Sequence, residues 1–469
     1  MRNPDGGSVS DILAALRQFL GDNDMMAYLV MMASRLVELR RVLKNTGSLY
    51  LHCDPTASHY LKIVLDGIFG KENFRNEIVW KRSQPKSQTT VVFPVAHDVI
   101  FRYAKTEYFV FNKIFLDYDP AYIQKHYTGT DPDGRKYTLD NLLNPNKNRP
   151  NLKYEFLGIT RVWRWTKDRM QEAYDNGLVV QSKPDAVPRY KRYLDEMGGQ
   201  PLTDTWIDIA PINSQSSERL GYPTQKPVAL LERIIKASSN PGDVVLDPFC
   251  GCGTAIHAAQ KLGRKWIGID ITHLAISLIT QRIRKAFPDC VFQVSGTPKD
   301  VDSARYLAES SGLEGRYQFQ YWALSLIDAL PAQDKKKGAD GGIDGFIWAY
   351  DGPNAKKPFK IAVSVKSGKI PANHIRELAG LLHTSKDNTQ MAFLLTLEEP
   401  SKKMRADALA AGHYEYPNGK RFQRIQILTI KELLEGAKPD YLDYGEGRAM
   451  NKQAKREVKQ GPKQLQLTP

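Results

Sequence analysis

Cysteine is scarce, with only Cys53, Cys250, Cys252 and Cys290 in 469 residues. So few thiols exclude a disulfide scaffold and fit a reducing compartment, the cytoplasm. Cys250 and Cys252 form a C-x-C, but no second Cys or His pair stands nearby to complete a zinc site, so no metal is expected there. No uninterrupted apolar run reaches the ~18 residues that a membrane span needs; the nearest, around Met25–Ala33, is too short and too amphipathic. The opening MRNPDGGSVSD has no apolar core and is no secretory signal. Acidic residues are in deficit, 52 against 66 Lys and Arg, for a net charge of +14 and a pI near 9.3. These absences exclude membrane, collagen-like and secreted classes. The basic excess suits a polyanionic partner, nucleic acid before all others; a merely solvated basic surface is the plain alternative.

What is present is ordinary globular composition, 42% hydrophobic and 25% charged, in a chain long enough for about three domains. Residues 9–44 read as helix, with Leu29, Met32, Leu36, Leu39 and Leu43 at helical spacing. SLYLHC (48–53) is a short apolar strand, and Asp54-Pro55-Thr56 opens a helix that ends near Gly70. Asn76–Trp80 and Asp98–Tyr103 are further strands. From 104 to 220 turn-forming stretches interrupt short aromatic ones. Between 121 and 200 there are fourteen Lys and Arg, ten Asp and Glu, and ten aromatics. That mixture fits a DNA-reading insert, whose basic groups meet phosphates while its aromatics meet bases, and equally a loop-rich subdomain with its own small core.

Residues 223–295 return to α/β alternation: helix Val228–Ala237, strand Asp243–Asp247, helix Thr254–Leu262, strand Lys265–Asp270, helix His273–Phe287 and strand Cys290–Val294. Residues 296–312 read as a linker. A further α/β unit follows, with strands at Gly345–Trp348, Lys360–Val365, Met391–Thr396 and Arg424–Leu428. The tail 446–469, six basic residues against two Glu and almost no large apolar groups, reads as disordered.

The sharpest signal is Asp247-Pro248-Phe249-Cys250-Gly251-Cys252-Gly253-Thr254, between a strand and a helix. Glycines let a backbone approach a ligand closely and make a turn that a side chain would block. Asp270 then ends the next strand, where a carboxylate can hydrogen-bond ribose hydroxyls in a doubly wound nucleotide-binding unit.

LDPFCGCGTA, with YPTQKPVALLERIIKASS upstream (222–239) and WIGIDI downstream, resembles the cofactor half of the beta-class DNA aminomethyltransferases, which include the modification subunits of type III restriction systems. GSLYLHCDPTASHYLKIVLDGIFGKENFRNEIVWKR (47–82) and HDVIFRYAK (97–105) resemble the other half, so that the likeness covers roughly 20–295. The resemblance implies a Rossmann-like methyltransferase fold in its permuted, beta-class order, with S-adenosyl-L-methionine as methyl donor and double-stranded DNA as partner. It places Asp247, Phe249, Gly251, Gly253 and Thr254 around the methionine and adenosine parts, Asp270 on the ribose, and Thr224, Lys226 and Pro227 in the second cofactor motif. Lys226 as an ordinary surface lysine stays open. The implied reaction is direct attack of adenine N6 or cytosine N4 on the sulfonium methyl, with the target base out of the stack.

The sequence departs from the family at the catalytic tetrapeptide, Asp/Asn/Ser-Pro-Pro-Tyr/Phe: no D-P-P, N-P-P or S-P-P occurs. Asp119-Pro120-Ala121-Tyr122 lacks the second proline and falls inside the insert, and Asp54-Pro55-Thr56 lacks the aromatic. The expectation is therefore an N-terminally truncated or split methyltransferase whose sheet lacks a central strand beside Asp243–Asp247. Either an N-terminal complementing fragment or a homodimer is the expected partner. No membrane partner is expected.

GADGGIDG (338–345), followed by Val363-Ser364-Val365-Lys366, resembles the restriction-endonuclease-like core of the Mrr type, a small α/β domain. The resemblance makes Asp344 and Lys366 candidate nuclease residues, with Mg2+ only if the domain is active. Ser364 is a weak ligand for a hard cation, and Gln320 stands where relatives often carry Glu, so a degenerate nuclease is favoured over an active one.

The expected organisation is a substrate-side half over 1–103, a target-recognition insert over 104–220, a cofactor half over 221–298, a linker over 299–312, the nuclease-like domain over 313–440 and a basic tail over 441–469. The expected function is site-specific DNA amino-methylation in a restriction–modification setting. A DNA-binding accessory or restriction protein is the alternative, and an RNA methyltransferase a more distant one.

Overall fold

The structure, a computed structural model, describes residues 2–3, 6–83, 91–213, 216, 218–220, 222, 224–310, 312–332, 342–355, 357–370, 373–384 and 388–444. The basic tail beyond 444 and the glycines of 338–341 lie outside the described residues. The chain divides into two compact units, one formed by 1–110 with 206–469 and the other by 111–205. Among the described residues no helix is long and apolar enough to cross a membrane.

In the first unit the stretch read as one helix is two, α1 (Val9–Leu20) and α2 (Asp24–Val42). Gly21 at φ +75° breaks the path, and Asn23 restarts it by accepting the Met26 N–H at 2.9 Å. β1 (Ser48–Cys53) leads to α3 (Pro55–Phe69), capped by Asp54 at its start and Gly70 (φ +88°) at its end. β2 (Phe74–Lys81), β3 (His97–Ala104) and the short β4 (Thr205–Trp206) complete a sheet of order β4-β2-β3-β1, antiparallel between β1 and β3 and between β2 and β3. Leu29 and Leu36 of α2 pack with Leu61 and Leu65 of α3 against Phe101 and Tyr103 of β3.

α4 (Val228–Ser238) precedes β5 (Val244–Asp247), α5 (Thr254–Lys261), β6 (Lys265–Gly268) and α6 (His273–Ala286). β5 and β6 pair in parallel, and among the described residues they form a sheet of their own. The strand expected at Cys290–Val294 is not formed. Phe292 packs against Trp266 at 5.8 Å, but Val291 is 98% exposed and, among the described residues, no strand lies alongside to take its backbone hydrogen bonds.

The segment 299–312, expected as a linker, carries α7 (Val301–Glu309). Asp300 and Ser303 make a capping box there, and Ala304 and Ala308 bury against the C-terminal core. α8 follows at Leu313–Ser325. β7 (Leu330–Pro331), β8 (Gly345–Ala349), β9 (Phe359–Lys366), β10 (Thr389–Thr396) and β11 (Ile425–Thr429) form a five-stranded sheet in that order, parallel from β9 to β11. Its central strands are buried on both faces: Met391, Phe393 and Leu395 enter one apolar cluster, Ala392 and Leu394 the other.

The second unit is antiparallel, with strands at 179–180, 189–193, 136–141 and 129–130 in that order, plus a hairpin at 153–162. Trp163 is fully buried with Phe156 and Met170, and its indole N–H donates to the Tyr154 carbonyl at 2.9 Å. Several of the aromatics weighed as base-readers are thus core, while Tyr122 and Tyr174 are exposed.

One titration is set mainly by packing. His257 on α5 is 3% exposed against Phe287, and burial first, then the charges of Arg282 and Lys261, push its imidazole down to about 3. An unfolded chain binds that proton near the ordinary 6.5, so stability is lost as pH falls below that value. His257→Gln is expected to flatten the loss, about 2 kcal/mol at pH 5, in denaturant titrations at pH 7 and pH 5.

Candidate functional site

The loop between β5 and α5 is built on backbone that side chains resist. Gly251 and Gly253 sit at φ +48° and +73°. A Cβ at Gly251 would lie 3.1 Å from Tyr222 Cε1, and one at Gly253 only 2.6 Å from Ile279 Cγ1. The Asp270 carboxylate ties loop to strand: one oxygen accepts the Gly251 N–H at 2.9 Å, the other the Thr272 N–H and Oγ1–H at 2.9 Å each. Cys250 N–H donates to the Ile269 carbonyl at 3.0 Å, closing the turn.

Asp247 accepts the Phe249 N–H at 3.2 Å, while burial, and then Asp270, push its carboxyl above the usual range. Phe249, whose N–H meets Asp247, is 49% exposed, and Ile271, next in sequence to Asp270, is 94% exposed. An acid for a diol, exposed apolar side chains on the adjoining loops and a glycine-lined turn together fit an adenosine. The structure therefore brings Asp247, Phe249, Gly251, Gly253 and Asp270 together.

Thr254 lies there too, but buried, its Oγ1 accepting from Arg282 Nη1 at 3.2 Å. Thr224 is exposed, Pro227 is buried and caps α4, and Lys226 points its Nζ toward Asp98 Oδ2 at 3.6 Å. Cys250 and Cys252 are buried, and burial pushes the Cys250 thiol up to about 12; among the described residues no three His, Cys, Asp or Glu side chains group to hold a metal.

Three supports escaped sequence reasoning. Arg282 on α6 reaches the Cys252 carbonyl at 3.1 Å, and its only sequence signal is a cation on an apolar helix face beside Ile279 and Ile283. Tyr222 packs on Gly251. Asp98, 4% exposed at its side chain, accepts from His52 Nε2 at 2.8 Å and pairs with Arg82 Nε at 2.9 Å and with Lys226. Burial alone would raise the Asp98 carboxyl, but the His52 hydrogen bond and the charges of His52, Lys226 and Arg82 outweigh it and hold it low. Tyr222 thus touches the glycine turn and Lys226 reaches Asp98 on β3.

The two proline-containing lookalikes have local roles. Asp119 accepts the Ala121 N–H at 2.8 Å and Asp54 the Thr56 N–H at 2.9 Å, each capping a helix whose first residue is the proline.

In the C-terminal domain Asp344 takes the Val365 N–H at 2.6 Å and a hydrogen bond from Gln320, and burial raises its carboxyl. Ser364 donates to the Gly342 carbonyl at 2.7 Å and contacts His374 Nε2 at 3.1 Å. Lys366 Nζ lies beside Gly342, 3.7 Å from where a Cβ would stand. Asp344 and Lys366 thus flank one turn, but the Asp344 oxygens are already engaged.

The N6/N4 DNA methylase family model matches residues 17–281, and a restriction endonuclease model matches residues 316–435. The chain is similar to the type II methyltransferase M.EcaI of Enterobacter cloacae, 34% identical over 260 residues, 55% of this chain and 57% of that protein. It is also similar to the type III restriction-modification enzyme StyLTI Mod subunit of Salmonella typhimurium strain LT2, 29% identical over 271 residues, 54% of this chain and 41% of that one. Among solved structures, the PvuII DNA methyltransferase (cytosine-N4-specific) is 14% identical with a TM-score of 0.32, covering 59% of this chain and 75% of that one. The M1.HpyAVI–SAM complex is 16% identical with a TM-score of 0.27, covering 53% and 81%. The chain spans about half the length of the curated relatives it matches.

Proposed function

The chain belongs to the N6/N4 DNA methylase family, and on that premise we propose that it is an S-adenosyl-L-methionine-dependent amino-methyltransferase of double-stranded DNA, acting in a restriction–modification setting. The observation that carries this reading is the Asp270 carboxylate clamped between the Gly251 N–H and Thr272, with Phe249 and Ile271 exposed on the two loops it ties together. Asp270 would orient the ribose, Phe249 would cover the adenosine, and Gly251 and Gly253 would admit the methionine end against the backbone. The bound donor supplies an electrophilic sulfonium methyl; the protein's part is to hold it, exclude water and present the target base.

The acceptor side is open. Among the described residues β5 has β6 as its only strand neighbour and β1 has only β3, while Tyr50 Oη of β1 meets Ser238 Oγ at the end of α4 at 2.7 Å. An unpaired strand edge is a template for another strand. We assign to these edges a strand carrying an Asp-Pro-Pro-Tyr-type tetrapeptide. The test is labelled-methyl incorporation into unmethylated DNA by the chain alone and with such a segment fused ahead of residue 1. Incorporation only in the fusion is expected. Equal incorporation by the chain alone would show that another group orients the amino nitrogen.

The second reading is that the chain binds the donor and DNA as an accessory component, and the same incorporation assay separates the two. For the C-terminal domain we propose a degenerate nuclease core, since Gln320 stands where relatives often carry Glu and Ser364, a weak ligand for a hard cation, is turned to a backbone carbonyl. Incubation of duplex DNA with the full chain and Mg2+ is expected to give no nicks or breaks. Cleavage that disappears in Asp344→Ala would overturn this.

A further inference from the structure

The stretch 91–95 ahead of β3 exposes an apolar run that nothing in the cofactor chemistry uses. Val91, Val92, Phe93 and Val95 are 88%, 68%, 98% and 60% exposed. A single exposed apolar side chain is ordinary, but four within five residues are not. The base from which they project is fixed. Lys81 pairs with His97 at the end of the ladder, and the N–H groups of Arg82 and Ser83 both donate to the Ala96 carbonyl, at 2.9 and 3.2 Å. Trp80 anchors the same corner by donating its indole N–H to the Ile209 carbonyl at 3.0 Å.

That corner is also cationic. Buried Asp98 gathers His52, Arg82 and Lys226, yet the Arg82 and Lys226 side chains remain 44% and 34% exposed. Lys81 beside them is exposed as well. One carboxylate against two permanent cations leaves a net positive corner, with both cationic side chains partly exposed. Tyr222 at the cofactor turn and Lys226 at this corner are close in sequence. An apolar projection rising from donor-bearing cations matches a bent or unstacked duplex: phosphates take the cations, and an opened base step takes the apolar wedge. The +14 net charge is of the same sign.

We propose that the 91–95 stretch is a DNA wedge, with Phe93 entering between base steps and Arg82 and Lys226, held on Asp98, taking the adjoining phosphates. This rests on the reading of duplex DNA as substrate. A wedge beside the cofactor turn would hold open the gap left by an extruded target base, whose unstacking must be compensated.

The experiment uses the full chain with a fluorescent duplex and a 2-aminopurine-labelled one, at several salt concentrations. Phe93→Ala is expected to weaken duplex binding about tenfold with the salt slope unchanged, and to abolish the rise in 2-aminopurine emission. Arg82→Gln is expected to lower the salt slope by about one. S-adenosyl-L-methionine binding by both variants, unchanged, shows that they fold. Wild-type affinity in Phe93→Ala overturns the wedge; unchanged affinity with a lowered melting temperature overturns it too, assigning the run to an internal contact. No duplex binding by the wild-type chain would instead contradict the substrate reading itself.

Discussion

Replacing Asp98 by Ala is expected to cost about 3 kcal/mol of stability, the lower end for removing one partner from a buried ion pair. The carboxylate is the common acceptor for groups on β1, just past the end of β2 and ahead of α4, through His52, Arg82 and Lys226. Without it, three donors converge on an apolar pocket beside Trp80, whose ring lies edge-on to His52 at 5.8 Å. The partial exposure of Arg82 and Lys226 lets both turn to solvent, which keeps the loss from reaching the upper end of that range. Asp98→Asn keeps the shape and the hydrogen-bond acceptor and should lose less. Denaturant titrations of the two variants against wild type measure the difference. Equal stability of Asp98→Ala and wild type would mean that the cluster is held by the sheet alone.

Trp163→Ala carries an expected loss of about 3–5 kcal/mol, the usual range for emptying a buried aromatic site. Trp163 is fully buried, fills the centre of the 111–205 unit against Phe156 and donates to the Tyr154 carbonyl. That unit has only a small core to draw on, so the substitution should melt it. Because 1–110 and 206–469 form a separate compact unit, S-adenosyl-L-methionine binding is expected to survive. A calorimetric trace should lose one transition and keep the other. Loss of donor binding together with that transition would show that the two units fold as one.

The alternation of β5, α5 and β6 was legible because apolar runs, glycines and the acid of Asp270 fall where a strand–turn–helix unit needs them. The hydrogen bond from the Gly251 N–H to Asp270 was not legible, since the spacing pointed that carboxylate only at a ribose. Arg282 was not legible, because a cation among apolar helix positions reads as a snorkelling surface residue until the fold carries it to the Cys252 carbonyl. Asp98 was likewise hidden: a charged residue opening an apolar strand does not announce that three donors from elsewhere converge on it. Two expectations failed for identifiable reasons. Cys290–Val294 alternates like a strand but, among the described residues, has no neighbouring strand to pair with, and 299–312 looks like a linker until Ala304 and Ala308, one helical turn apart, find the C-terminal core.

The measurement closest to the central claim is equilibrium binding of labelled S-adenosyl-L-methionine to the full chain, with Asp270→Ala alongside. Removing a carboxylate that accepts three hydrogen bonds and is assigned the ribose is expected to weaken binding at least about 100-fold, near 3 kcal/mol. One donor molecule bound per wild-type chain and none detectably in the variant is the predicted result. Failure of the wild-type chain to bind, or equal binding by both proteins, would contradict it.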